Sequence, residues 1–337
     1  KILSKNSVAL VREFHFETEI FIRSFGIDKI YYVPEGNFFS RLKFFFKSIE
    51  LIKKIKKTDD FLKLKYHNIE VGIAAYDHHI RFTGIGSSYL INAKMIYFLS
   101  RTLLVQDFSE KFFKSNSFGE VIQSEQQFLP SQIIFQNALI NNCKVFARIG
   151  VGDKISVMIY DSYKDRYKDR NCFSKELLNL VHKNFDKSKF EKVQHYMTER
   201  FKGNPKYSAD HGIFEDKSKI FGEESDLTNS YTKDDLCNKF DWDINKPIVV
   251  IFASDMTDGV FKFDWKIFKD NWTGFLETIK IIKEVKNINW IIKSHPNDIK
   301  TKTITDTEKE VNNLSKKYAN IKLFPKNYGK GPLPKII

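Results

Sequence analysis

Lys293, Ser294, His295 and Pro296 stand together at the end of an apolar, β-branched run. The period of two along a strand puts Lys293 and His295 on one face, where an ammonium and an imidazole both donate toward one anion. Charge-assisted hydrogen bonds of this kind are worth about 1.5–3 kcal/mol each, and a phosphate accepts several at once. Without a ligand, the same residues read as a strand cap and a solvated charge. A second cluster, Ser254, Asp255, Thr257, Asp258 and Gly259, follows an earlier apolar run. Its hydroxyls and backbone amides suit phosphate or sugar, and its carboxylates suit sugar hydroxyls, a base amine or a metal. Asp258 has a plainer reading as the N-cap of a following helix.

These clusters need a scaffold, and the last hundred residues predict one. The run from Lys246 to Ser254, with the breaker Pro247 at its start, suits a buried strand. From about Asp264, the apolar positions Trp265, Phe268, Trp272, Phe275, Leu276, Ile279 and Ile282 predict an amphipathic helix. Lys280, Lys283 and Lys286 near its end suit the helix dipole. "INWIIKSHP" predicts a second strand, Thr305 to Tyr318 a polar helix, and "NIKLFP" a third strand. The order β-α-β-α-β implies a parallel, doubly wound sheet, and ligands of such sheets bind outside the carboxyl ends of the strands. Both clusters fall there.

Upstream, the candidate strands are "KIYYVP", "NIEVGIAAY", "EVIQS", "CKVFARI" and "ISVMIYD". They alternate with candidate helices at Phe38 to Lys57, Ser88 to Phe113, Pro130 to Asn141, Ser174 to Phe185 and Lys189 to Phe201. Another α/β layer follows, with a boundary near Asp241 to Lys246 that gives domains 1–243 and 244–337. Two carboxylates there suit a general base. Asp77 has Arg81 four residues on, and Glu125 ends "EVIQS"; an ordinary ion pair or cap is the alternative for each. His78 and His79 make a metal pair only with further ligands that the sequence does not identify. Asp161, Arg166 and Arg170 read as an exposed charge cluster.

Composition bounds the classes. A chain of 337 residues, 42% hydrophobic and 15% aromatic with only 15 Gly and 8 Pro, is neither disordered nor collagen-like, and its length suits two domains. No apolar run approaches the roughly 20 residues of a spanning helix. Cys143, Cys172 and Cys237 suit neither a disulfide framework nor a zinc site, which points to a reducing, cytoplasmic compartment. The net charge of +13 favours polyanions, although an AT-rich coding sequence also enriches lysine. Nucleic-acid binding lacks an RNP-like, zinc-finger or Gly-x-x-Gly pattern. In the helix from Arg41 to Lys57, Leu42, Phe45, Phe46, Ile49, Ile52 and Ile55 share one face and lysines the other, which suits an anionic membrane surface or a core contact.

The segment "IVVIFASDMTDGVFKFDWKIFKDNWTGFLETIKIIKEVKNINWIIKSHPND" resembles the donor domain of bacterial capsule and surface polysaccharide biosynthesis glycosyltransferases. In that family an apolar strand ends in a Ser/Asp loop, a Trp-bearing helix follows, and a second strand runs into Lys-x-His-Pro. Upstream, "VGIAAYDHHIR" is similar to a Gly-x-x-x-Tyr-Asp-x-x-x-Arg element, and "VIQSEQQFLPSQIIFQNALINNCKVF" to a Ser-Glu segment before a helix and strand; "YKDRNCFS" and "TERFKG" are shorter matches. The glycine before Asp77 is kept as Gly72, whereas the family's next acidic residue is Ile73. The resemblance implies a GT-B architecture of two Rossmann-like domains, the first holding the acceptor and the second the nucleotide sugar. It implies that the His-Pro element at His295 contacts the donor phosphate. With the readings above, Lys293, His295 and Ser254 are the expected donor-phosphate contacts, Asp255, Thr257, Asp258 and Arg81 the expected donor- and acceptor-binding residues, and Asp77 or Glu125 the expected base. No metal or cofactor is expected. The implied partners are a nucleotide-sugar donor and a glycan or lipid-linked acceptor; the Arg41–Lys57 pattern read above adds an anionic membrane surface, for a protein that is cytoplasmic or peripheral on the inner face of the membrane. A complete donor domain of this type continues past the third strand, so the chain is expected to carry part of one. Alternatives are a phosphopolyol transferase of the same fold, a non-catalytic polysaccharide-assembly protein and a nucleic-acid-binding protein.

Overall fold

A continuous apolar run satisfies a buried helix as well as a buried strand, and packing decides between them. The structure is a computed structural model that describes residues 7–12, 15–53, 55–88, 91–123, 126–149, 156–167, 179, 182–184, 186–201, 232–259, 267–295 and 304–324. Strand β1 (Val8–Val11), helix α1 (Phe16–Ser24) and strand β2 (Lys29–Tyr32) form a β-α-β unit whose strands pair in parallel. Helix α2 (Phe38–Ile52) starts where the Asn37 side chain accepts the Ser40 amide at 2.9 Å. After α3 (Thr58–Leu62), the short strands β3 (Lys65–Tyr66) and β4 (Ile69–Glu70) make a hairpin that leads straight into α4 (Val71–Thr83).

Helix α4 departs from the strand expected at "NIEVGIAAY". Only Ile69 and Glu70 are extended, and Val71 through Ile80 form a helix buried on every side. The run is apolar without a period, as buried strands and buried helices both are, so the distinction rested on what surrounds it. Two glycines settle the helical outcome. Gly72 lies in the first turn, where a Cβ would stand 1.9 Å from the Phe61 carbonyl oxygen, so α3 approaches closely only because it is glycine. Gly84 closes the other end in the left-handed region (φ 68°). The core against α4 is filled from α5 (Ala93–Ser115) by Met95, Leu99 and Leu103, with Phe44 of α2 and Phe61 of α3.

Strand β5 (Glu120–Gln123), helix α6 (Ser131–Ile140) and strands β6 (Lys144–Ile149) and β7 (Ser156–Tyr160) follow, with β5 parallel and β7 antiparallel to β6. Among the described residues, the strands upstream of residue 161 thus fall into three small sheets, β1–β2, β3–β4 and β5–β6–β7. The class is mixed α/β. Helix α7 (Lys187–Phe201) comes next, while the helix expected at Ser174 to Phe185 lies largely outside the described residues.

Past residue 231, α8 (Lys233–Phe240) begins with a reciprocal capping box between Thr232 and Asp235. Strands β8 (Ile248–Phe252) and β9 (Asn289–Lys293) flank α9 (Asn271–Glu284), and α10 (Thr307–Ser315) leads to β10 (Ile321–Leu323). The sheet order is β10-β9-β8, all parallel, as the punctuation by Pro247 and the alternating elements predict. The period of two sorts its central strand: Ile292 packs with Phe275, Ile279, Val311 and Leu314 of α9 and α10, and Ile291 with Leu236 of α8, Trp242 and Phe324. Helix α9 starts later than its apolar pattern suggests. Asp270, extended at φ −158°, accepts the Thr273 amide at 2.7 Å and sets the boundary; Phe268 precedes the helix and Trp265 lies outside the described residues.

Two smaller expectations also change. Asp161 pairs with Lys144 at 3.4 Å, but Arg166 is mostly buried and grips Glu70 with two nitrogens at 3.1 and 3.2 Å, between the rings of Tyr163 and Tyr167. Arg170 and Cys172 lie outside the described residues, and Cys143 and Cys237 are buried free thiols. Burial alone would raise the Glu70 pKa; the bonds from Arg166 and Tyr167 outweigh it and hold the carboxyl below its usual range. Glu70 therefore stabilises the fold above the ordinary glutamate pKa of about 4.3, and that contribution fades as pH falls through its lower folded value. Glu70→Gln is expected to cost about 2 kcal/mol at pH 7. Urea denaturation at pH 7 and near pH 3 checks this, since the gap between the proteins should narrow at the lower pH.

Candidate functional site

The carboxyl ends of β8 and β9 lie side by side, tied by the Ala253 amide donating to the Lys293 carbonyl at 2.9 Å. Beyond β8 the chain turns sharply, because one oxygen of Asp255 accepts both the Thr257 amide (2.9 Å) and its hydroxyl (2.8 Å). The other Asp255 oxygen faces away from the turn. It accepts Arg81 Nη1 of α4 at 3.1 Å, and the same nitrogen lies 3.3 Å from Thr257 Oγ1. Arg81 also lies over the Phe128 ring at 5.7 Å. A guanidinium of the upstream half is thus bound into the strand-end loop of the downstream half.

Asp77 sits one turn before Arg81 on the same helix face and is fully buried. The Gly259 backbone covers it: a Cβ there would stand 2.8 Å from Asp77 Oδ2. Gln127 Nε2 donates to the Gly259 carbonyl at 3.3 Å, and Asp258 accepts the Gly259 amide at 3.0 Å. Asp258 therefore closes the loop rather than capping α9, a role that belongs to Asp270.

A second set of polar contacts crosses between the halves beside this one. Tyr76 donates to Asp270 Oδ2 at 2.6 Å, so the residue that caps α9 also anchors α4. Burial first, and then the Asp270 charge, push the Tyr76 phenol well above its usual pKa. Lys269 Nζ donates to the Ser88 carbonyl at 3.0 Å, Thr305 Oγ1 accepts the Gly86 amide at 2.6 Å, and the Ile304 amide donates to the Gly84 carbonyl at 2.7 Å.

Of the residues named from sequence, Asp77, Arg81, Asp255, Thr257 and Asp258 converge on this loop. Ser254 is exposed at its start. Lys293 and His295 lie on the neighbouring strand end. Lys293 is 8% exposed with its ammonium 5.1 Å from the Phe324 ring centre, His295 is half-buried, and Ser294 between them donates to Glu308 at 3.2 Å. Glu125 and Pro296 lie outside the described residues. His78 packs on Phe82 and Phe98, and His79 on Tyr76 and Phe98; burial lowers both imidazoles to about 4, so they are neutral at pH 7. Among the described residues, no group of three or more His, Cys, Asp or Glu could hold a metal ion.

Sequence reasoning missed Tyr76, Gln127, Lys269 and Asp270 as contributors, and it placed Gly259 in the loop without its contact to Asp77. Asp270 alone carried a local signal, standing three residues before Thr273 as an N-cap does. The others act across more than a hundred residues of chain. Chemically, the arrangement offers a buried carboxylate, a guanidinium and a hydroxyl-rich turn at the edge of a parallel sheet. Compared with family models, curated proteins and solved structures, the chain matches none.

Lys293 is held at a cost to the fold. Burial pulls its pKa down to about 8. At pH 7 the folded chain thus carries an ammonium that it holds less well than the unfolded chain, whose lysine titrates near 10.4. Between those values the folded state sheds the proton first, so stability rises with pH across that window. Lys293→Met is expected to be more stable than the wild type at pH 7 by about 1–3 kcal/mol. Urea denaturation at pH 7 and above pH 10 checks it, because the gain should shrink at high pH. Gly259→Ala, which drives a methyl group onto Asp77, is expected to cost about 1–3 kcal/mol in the same assay.

Proposed function

We propose that the chain is a glycosyltransferase of GT-B type that moves a sugar from a nucleotide-sugar donor to a growing capsule or surface polysaccharide. Arg81 carries this reading. It extends from the upstream half to Asp255 and Thr257, at the edge of a parallel sheet where nucleotide phosphates bind, and it lies one turn from the buried carboxylate of Asp77. The Lys-x-His-Pro strand end beside that loop supports it further.

In this reading the acceptor hydroxyl gives its proton to Asp77 as its oxygen bonds to the anomeric carbon, and the bond from that carbon to the donor phosphate breaks. The departing phosphate gathers negative charge, which Arg81, Lys293, His295 and the amides after β8 neutralise. Ser254 donates to that phosphate, and Asp255, Thr257 and Asp258 hold hydroxyls of the donor or acceptor. Donor phosphate competes with Asp255 for Arg81, and the loop ending at Gly259 withdraws from α4 so that Asp77 meets the acceptor.

Incubation with a glycan acceptor and a panel of nucleoside-diphosphate sugars, nucleoside-monophosphate sugars and nucleotide-linked polyol phosphates, with nucleotide release as readout, tests the reading. A donor that supports release identifies the sugar, whereas release only from a nucleotide-linked polyol phosphate assigns phosphopolyol transfer instead. With the active donor, His295→Ala and Asp77→Asn are each expected to lower turnover by about 10²–10³ while leaving the unfolding temperature near that of the wild type. Unchanged turnover in both variants overturns the assignment of these residues, and release from no donor overturns the transferase reading.

A further inference from the structure

Helix α2 carries two apolar stripes, and the core uses only one. Phe44, Ser48, Leu51 and Ile52, spaced i, i+4, i+7 and i+8, are buried or packed against the core beside α5. Phe38, Leu42, Phe45 and Phe46 repeat the same spacing on another side and are exposed; with Phe39 they form an aromatic strip in which Phe39 is 78% and Phe46 60% exposed. The expected single face of Leu42, Phe45, Phe46, Ile49, Ile52 and Ile55 is thus divided, with its front half turned to solvent and Ile52 and Ile55 turned inward. A contiguous exposed patch of this kind marks an interaction surface.

Charge identifies the occupant. Between Arg41 and Lys57 the sequence holds seven cations (Arg41, Lys43, Lys47, Lys53, Lys54, Lys56 and Lys57) against one acid, Glu50, which is paired with Lys47. Lys43 and Arg41, the latter paired with Glu35 at 3.2 Å, flank the aromatic strip on the helix surface, and Lys53, Lys56 and Lys57 are exposed at and just after its C-terminal end. Phenyl rings with a basic border are the composition of a helix lying in the headgroup layer, rings toward the acyl chains and cations toward lipid phosphates. Among the described residues no helix is long and apolar enough to cross a membrane, so the contact is one of docking on the surface. We propose that α2 docks the protein on an anionic phospholipid surface through Phe38, Phe39, Leu42, Phe45 and Phe46, with the lysines after the helix holding the headgroups.

Flotation of the full chain with phosphatidylcholine vesicles, with and without phosphatidylglycerol, tests this without substrate, so it stands or falls separately from the transfer reaction. The wild type is expected to float with the anionic vesicles and to release at high salt. The double variant Phe39→Ser/Phe46→Ser and the triple variant Lys53→Glu/Lys56→Glu/Lys57→Glu are each expected to lower vesicle affinity by about tenfold or more. Thermal unfolding like the wild type's confirms that these exposed positions leave the fold intact. Three results overturn the proposal: no flotation of the wild type on anionic vesicles, variants that float as well as it does, or a wild-type dimer in light scattering that Phe39→Ser/Phe46→Ser dissociates.

Discussion

The contact of Arg81 with Asp255 and Thr257 joins the two halves of the chain at the edge where the C-terminal sheet is open, and it exists because α4 is a helix. Four residues span about 6 Å along a helix and about 13 Å along a strand. Helical rise therefore keeps Asp77 and Arg81 within reach of one loop, from Asp255 to Gly259. The same helix aims Tyr76 at Asp270, the cap of α9. One element thus fixes the carboxylate, the guanidinium and the register between the halves.

Each charge in that region is accommodated differently, and the differences bear on motion. Asp255 is nearly buried but receives a guanidinium and a turn amide, and Asp270 receives a phenol and a cap amide, so their desolvation is offset by directed bonds. Lys293 is buried with its ammonium beside the Phe324 ring, and burial depresses its pKa. The apolar clusters behave otherwise. Among the described residues, two are built from elements upstream of residue 168 and two from elements downstream of residue 231. Among the described residues, polar bonds that water or a ligand can replace join the halves, beside the close packing of Gly86 on Met256 and Trp272, while each half keeps its own apolar clusters. Relative movement is the default for contacts of that kind.

The C-terminal sheet was legible because its signals are local and agree with one another. Pro247 and Pro296 punctuate short β-branched runs, and a helix-period stretch separates them, so strand order and direction follow from connection rules. The N-terminal half offered no such agreement. "VGIAAY" is apolar on every side whether helical or extended, and its outcome depends on Gly72 admitting the Phe61 carbonyl, a contact no window on the sequence contains. The start of α9 was misread for a related reason: apolar spacing continues upstream through Phe268, but the backbone is already extended at Asp270.

The site was legible by residue type but not by connection. Asp77, Arg81, Asp255 and Thr257 are recognisable as groups able to bind sugars or phosphates, yet nothing in the sequence pairs Arg81 with a residue 174 positions away. Gly259 shows the limit most clearly: in the sequence it reads as part of a loop whose amides suit phosphate or sugar, whereas its lack of a side chain is what lets the loop close over Asp77. Helix α2 fails in the complementary way. Periodicity finds an apolar face there, but two stripes obey the same spacing, and only the bulk of α5 and its neighbours decides that Phe44 goes inward and Phe46 outward. A pattern read along one helix fixes which residues act together, while the rest of the fold decides which set meets the core and which meets the outside.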